Sequence, residues 1–221
     1  MKARRAAGLT AWRGAAALAA AVLLRSAFAA RKGSARFYLL TTGLAITWTG
    51  GALGTGPIPW RDTRAGNAAW APIVVPVVSG AATFAVFYGA ARAARRHRTL
   101  RRPIAGALRY ADAGSTPLVV LIASGSAVAE ELFFRGALWS GPRPLRTTTL
   151  AYAASTAATG NPALVLAGLV TSVIFGWQRA ATGGVLAPAV THLTWSVLML
   201  RYLPPLFRDA DALKASPLTP H

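Results

Sequence analysis

Long apolar stretches separated by arginine-rich segments constrain this chain more than any other feature. A helix needs about 20 predominantly apolar residues to cross a bilayer. It bonds its own backbone N–H and C=O groups there, which lipid cannot do for it. Only 14% of the residues are charged, against roughly 25% in a soluble domain. The 24 Lys+Arg outnumber the 6 Asp+Glu, and most basic residues lie between the apolar runs. That placement fits the positive-inside rule and contact with anionic headgroups. It does not form the patch that marks a nucleic-acid binder, and nucleic acid is excluded as a partner. With no cysteine, disulfides, thiolate metal sites and a Cys nucleophile are also excluded, and the redox compartment is left open.

The expected fold is all-α, a polytopic transmembrane helical bundle of about six spans plus an N-terminal interfacial helix. The spans fall at 37–56, 68–91, 115–140, 147–159, 163–177 and 184–203, so that residues 37–205 form the membrane part. Residues 1–36 carry eight basic residues around an apolar stretch, 14–24, that is short for a span. They read as a cytoplasmic amphipathic segment lying in the interface. Lys2, Arg4 and Arg5, then that stretch, then Ala27-Phe28-Ala29 also resemble a cleavable signal peptide. Arg31, Lys32 and Arg36, which follow, argue against export of this end.

A Gly/Pro loop with Trp60, Arg61 and Arg64 follows the first span. Residues 92–109, with seven arginines and His97, read as a cytoplasmic loop, and 206–221 as a polar tail. Gly160-Asn161-Pro162 separates the fourth and fifth spans, and Pro204-Pro205 ends the last. Trp60, Trp70, Trp139 and Trp177 fall near span ends, where interfacial aromatics collect. Both termini are expected in the cytoplasm and the protein in the plasma membrane, its helices packed closely through many small residues.

The only two glutamates are adjacent, in Glu130-Glu131-Leu132-Phe133-Phe134-Arg135, inside an apolar run. Ionised carboxylates are costly at membrane depth and mark function or helix pairing there. On a helix Glu131 and Arg135 are four apart and face each other, each compensating the other's desolvation. Glu130 points about 100° away round the helix and has no comparable local cation, which makes it a candidate general base or acid. The bland alternative is a glutamate pair that merely bonds neighbouring helices. His192 is the one histidine inside a span, a turn after Pro188, which is expected to kink the helix. Ser196 shares its face one turn further on. An imidazole and a hydroxyl so placed can bind a metal, position water or stabilise an oxyanion, or simply bond another helix.

Together these residues resemble the CPBP family: CAAX-processing endopeptidases of the Rce1 type and bacteriocin-processing or Abi membrane proteins. Glu130, Glu131 and Arg135 match its Glu-Glu-x-x-x-Arg motif in full, with Phe133-Phe134 and Gly136 as family-like context. Gly183-Gly184-Val185-Leu186-Ala187-Pro188 leads to His192, with Ser196 where the family's His-x-x-x-Asn has asparagine. The resemblance covers residues 115–205. Its middle motif, Phe-x-x-x-His, has no histidine here, and the nearest match is Tyr152-x-x-x-Thr156.

The resemblance implies an intramembrane endopeptidase acting on membrane-proximal peptides. Glu130 would activate water, Glu131 and Arg135 would orient it, and His192 and Ser196 would polarise the carbonyl and hold the oxyanion. Tyr152, Thr156 and Asn161 are secondary candidates for the missing partner, although a threonine hydroxyl is no base near neutral pH. A divalent metal such as zinc, held by His192 and Glu130, is the implied cofactor, but a catalytic zinc takes three protein ligands. A catalytically inactive relative that binds a peptide, lipid or partner helix is the alternative. An ion or proton carrier through Glu130 is a third reading, without polar groups leading to either face.

Overall fold

The computed structural model describes residues 2–60, 71–112 and 116–215, in which eight α-helices are found and no strand. The helices are α1 (Lys2–Ala29), α2 (Ala35–Leu53), α3 (Ala71–Ala94), α4 (Arg98–Asp112), α5 (Thr116–Glu131), α6 (Pro144–Ala157), α7 (Pro162–Thr182) and α8 (Leu186–Ala215), with a π-helical segment, Leu132–Ala137, continuing α5. Arg61, Arg64, Trp70 and the end of the tail with His221 lie outside the described residues. The all-helical bundle is the architecture expected of this pattern. Four stretches are long and apolar enough to cross a membrane: Ala6–Ala29, Pro72–Ala94, Pro117–Ala137 and Pro162–Thr182. The apolar pattern predicts six spans; α6 is short, and α2 and α8 mix Thr, Gly, His or Arg into their apolar faces.

The N-terminal region is helical almost throughout. It is one 28-residue helix, antiparallel to α2, with Trp12 Nε1 donating to the Gly51 carbonyl at the far end of the hairpin (3.0 Å). Small residues, Ala16, Ala20 and Ala27, face the protein, while Leu18 and Val22 face outward. The apolar stretch is also longer than 14–24, because alanines on both sides extend it within one helix.

Residues 92–109 do not form the expected loop; from Arg98 onward they form helix α4. Ile104 and Leu108 pack against the buried cluster of Ala91 with Leu203 and Phe207 of α8, and Arg102 is exposed. Leu100, Ile104, Ala107 and Leu108 follow helical spacing, a period hidden by the arginines between them.

Helix α8 corrects two further expectations. Pro188 lies in its first turn, where no intrahelical N–H is required, so it starts the helix instead of kinking it. The N–H groups of Val185 and Leu186 donate to the carbonyls of Pro59 and Trp60 (2.9 and 3.1 Å). Pro204-Pro205 does not end the helix, which runs on to Ala215. Leu203 and Phe207, one turn apart across the prolines, are both buried in a cluster with Ala91 of α3, and that packing carries the helix through. The break at Gly160-Asn161-Pro162 is present, with Gly160 at φ 68°, and Gly183 at φ 79° closes α7.

Helix α3 holds α8 in place. Gln178 Nε2 donates to Thr191 Oγ1 (2.8 Å), which donates to the Pro76 carbonyl (3.0 Å). At Gly80 an added Cβ would lie 2.8 Å from the Thr191 carbonyl oxygen and 2.7 Å from Thr194 Cβ. We expect Gly80→Ala to force α3 off α8 at a cost of about 1–3 kcal/mol, read as a lower unfolding temperature in detergent. Gly89→Ala, on the same helix but facing open space, is the control and should be neutral or slightly stabilising. Equal behaviour of the two would refute this account of the contact.

Candidate active site

The site begins at the π-helical turn. The Leu138 N–H bonds the Phe133 carbonyl at 2.8 Å, five residues back, an arrangement that recurs at functional sites. Phe133 and Phe134 anchor the turn against Trp48 of α2 (ring centroids 4.5 and 4.9 Å), and Phe134 also packs on Tyr152 of α6 (4.9 Å). At its end Arg179 Nε donates to the Arg135 carbonyl (2.8 Å). With the phenylalanines turned into the core, Arg135 points back along the helix toward α7 and α8.

Arg135 and Glu131 are both fully buried. Arg135 Nη1 donates to Glu131 Oε1 (3.1 Å), as the i,i+4 spacing implies. Its Nη2 donates to the carbonyl and hydroxyl of Ser172 on α7 (3.0 and 2.8 Å). The guanidinium also lies 5.2 Å from the Tyr152 ring and 5.4 Å from the Phe175 ring. Glu131 Oε1 has a second partner across the bundle, His192 Nδ1 at 3.0 Å. An ionised carboxylate only accepts, so it selects the imidazole form with hydrogen on Nδ1. Phe175 stacks on the imidazole (4.7 Å, 27°) and Trp195 flanks it (5.9 Å). His192 is thus fixed at one nitrogen and on one face, with Nε2 left for chemistry.

Glu130 is half-buried and takes no part in the Glu131–Arg135 ion pair. Its Oε2 accepts a hydrogen bond from Tyr152 Oη at 2.5 Å. His192, Glu131 and Arg135 lie close enough to act on it electrostatically. A cavity of about 300 Å³ approaches from the α4 end, with Ser126 and Ser196 in its wall. These serines stand one turn before Glu130 and one turn after His192.

Of the residues singled out from the sequence, Glu130, Glu131, Arg135, His192 and Tyr152 converge. Ser196 lies one layer away and forms no hydrogen bond among the described residues. Thr156 does not join them: its hydroxyl donates to the Tyr152 and Ala153 carbonyls of its own helix (3.1 and 3.0 Å). Asn161 does not either. Its Oδ1 caps α7 by accepting from the Ala163 and Leu164 N–H groups, and its Nδ2 donates to the Pro103 carbonyl (2.8 Å). A short polar side chain before Pro and an apolar run is an N-cap signal, which accounts for its structural use. Ser172 escapes sequence reasoning; its only mark is a hydroxyl one turn after Gly168 in an apolar helix.

A zinc site of three protein ligands does not fit these residues. Among the described residues no three His, Cys, Asp or Glu side chains are grouped so that they could hold a metal ion. Glu131 is engaged by Arg135 and His192, which leaves at most Glu130 and His192 Nε2 as donors.

Residues 112–198, from the end of α4 into α8, match the family model described as Type II CAAX prenyl endopeptidase Rce1-like. No curated protein and no solved structure matches the chain significantly. All five converging side chains, and Ser172 and Ser196 with them, lie within the matched residues, whereas α1, α2 and α3 lie outside them. Those outer helices nevertheless build the site: Trp48 seats the π turn and Pro76 ties down α8.

Proposed function

We propose that this protein is an intramembrane endopeptidase that hydrolyses a peptide bond of membrane-proximal substrates. The convergence of Glu130, Tyr152 and the Glu131–His192 pair from three helices, all within the residues that match the Rce1-like family model, carries the reading. Glu130 takes a proton from water as the water oxygen attacks the scissile carbonyl. His192, held through its Nδ1–H by Glu131, presents an unprotonated Nε2 that accepts a hydrogen bond from the attacking water and orients it, and the Ser196 hydroxyl, on the approach side, donates to the oxyanion. The tetrahedral intermediate collapses as the C–N bond breaks and Glu130 returns the proton to the leaving amine. Arg135 neutralises Glu131 and holds it for His192. The arginine-rich α3–α4 corner favours the cytoplasm for that end by the positive-inside rule. Both termini then share that side only if α1 lies in the interface; if α1 spans, it carries its Lys2 end across.

Tyr152 stands where the family motif has phenylalanine, and its hydroxyl takes the carboxylate that a motif histidine would serve. Loss of a hydrogen bond to a charged group costs about 1.5–3 kcal/mol, and about 1.4 kcal/mol is tenfold in rate. Tyr152→Phe should therefore lower cleavage roughly ten- to a hundredfold with the fold retained; an unchanged rate would remove Tyr152 from the mechanism.

The hydroxyl of Thr156, bonded to its own helix in place of a histidine, favours a second reading, a non-catalytic relative that binds a peptide, lipid or helix at the same site. A survey of protein termini in membranes from cells expressing wild type or Glu130→Gln at equal levels separates the two. New termini confined to wild type support the peptidase; matching profiles from folded proteins support the binder.

A further inference from the structure

Two spaces outside the candidate active site meet at the foot of α4. One is an apolar cavity of about 540 Å³ between α3, α4, α7 and α8, lined by side chains such as Phe87, Ile104, Leu108, Leu164, Met199 and Leu203. That volume is within the range of small-molecule pockets, about 300–1,000 Å³. The other is a polar recess of about 420 Å³ that includes Arg102, Thr159, Gly160 and Asn161. They share Pro103 and Pro162. Among the described residues no carboxylate lines either space. Arg95 and Arg96 follow Ala94, which lines the apolar cavity, at the α3–α4 corner.

An apolar hole that opens beside a carboxylate-free, arginine-bearing recess matches an amphiphile with an anionic head. We propose that the pair of spaces binds one anionic phospholipid, with an acyl chain in the cavity and the phosphate on Arg102, aided by Arg95 and Arg96. Basic pockets between membrane helices take anionic headgroups in this way, and each arginine near the surface favours them. The chain replaces lipid packing that α4, lying across α7 and α8, would otherwise deny to the cavity walls. Trp195 lines the cavity and also flanks the His192 ring, so the lipid packs against the residue that supports the imidazole.

The test needs no proteolytic assay, so its outcome stands apart from that of the endopeptidase reading. Protein purified in detergent is supplied with phosphatidylglycerol or phosphatidylcholine of identical chains, and retained lipid is counted by native mass spectrometry. Wild type is expected to retain one phosphatidylglycerol with roughly tenfold preference over phosphatidylcholine, and inorganic phosphate should not displace it. Arg95→Gln/Arg96→Gln/Arg102→Gln should lose the preference. Ala107→Phe, which fills a wall of the cavity, should lose both lipids; if it fails to fold, the arginine variant decides alone. Equal retention of the two lipids by wild type, displacement by phosphate, or an unaltered preference in the arginine variant overturns the proposal.

Discussion

Glu130→Gln is expected to slow peptide cleavage by about 10²–10⁴-fold, the usual worth of a positioned general base, while leaving the unfolding temperature close to that of wild type. The substitution keeps size and keeps an oxygen that can accept from Tyr152 Oη, whose bond to Glu130 Oε2 is 2.5 Å long. It removes only the ability to take a proton from water. Glu130 is half-buried and outside the Glu131–Arg135 pair, so no buried cation loses its partner. The measurement is a paired one, cleavage rate and thermal unfolding on the same preparation. A variant that cleaves at the wild-type rate would remove Glu130 from the mechanism, and with it the convergence on which the proposed function rests. A variant that loses activity only because it unfolds would make Glu130 a structural residue.

Arg135→Met should have the largest effect on stability. Arg135 and Glu131 are both 0% exposed, and removing one partner of a buried ion pair costs about 3–5 kcal/mol, because the other charge remains uncompensated. Arg135 also satisfies the Ser172 carbonyl and hydroxyl, which methionine cannot. Arg135→Lys should recover only part of the loss, since an ammonium lacks the planar fork that reaches Glu131 and Ser172 together. The diagnostic variant is Glu131→Gln/Arg135→Met. It removes both charges yet leaves an amide oxygen for His192 Nδ1–H, so it should be more stable than Arg135→Met alone. Unfolding in detergent measures all three, and a single variant within about 1 kcal/mol of wild type would refute a buried compensating pair.

Short-range regularities in the chain make part of the site legible. Glu131 and Arg135 pair because four residues make about one helical turn, and His192 stands out as the one histidine in an apolar run. The same local view misleads at α4, where arginine density conceals a helical period. It misleads at Pro188 and Pro204-Pro205 too, because a proline breaks a helix only where an N–H is demanded and nothing packs across it. At Thr156 alignment to a motif suggests chemistry, but the hydroxyl bonds its own backbone. The tyrosine at the motif's first position is what reaches Glu130.

By itself the sequence determined the membrane as solvent, the helical class and the carboxylates around which chemistry could form. Those follow from composition and from spacings of a few residues, which the covalent chain and helix geometry impose. Only tertiary structure decided that Glu131 also holds His192, 61 positions away, that Tyr152 serves Glu130, and that Ser172 receives Arg135. Such pairings depend on how helices with several apolar faces choose their neighbours. Close approach at Gly80, the π turn seated on Trp48 and the capping of α8 by Pro59 and Trp60 make that choice, and no short-range pattern encodes it.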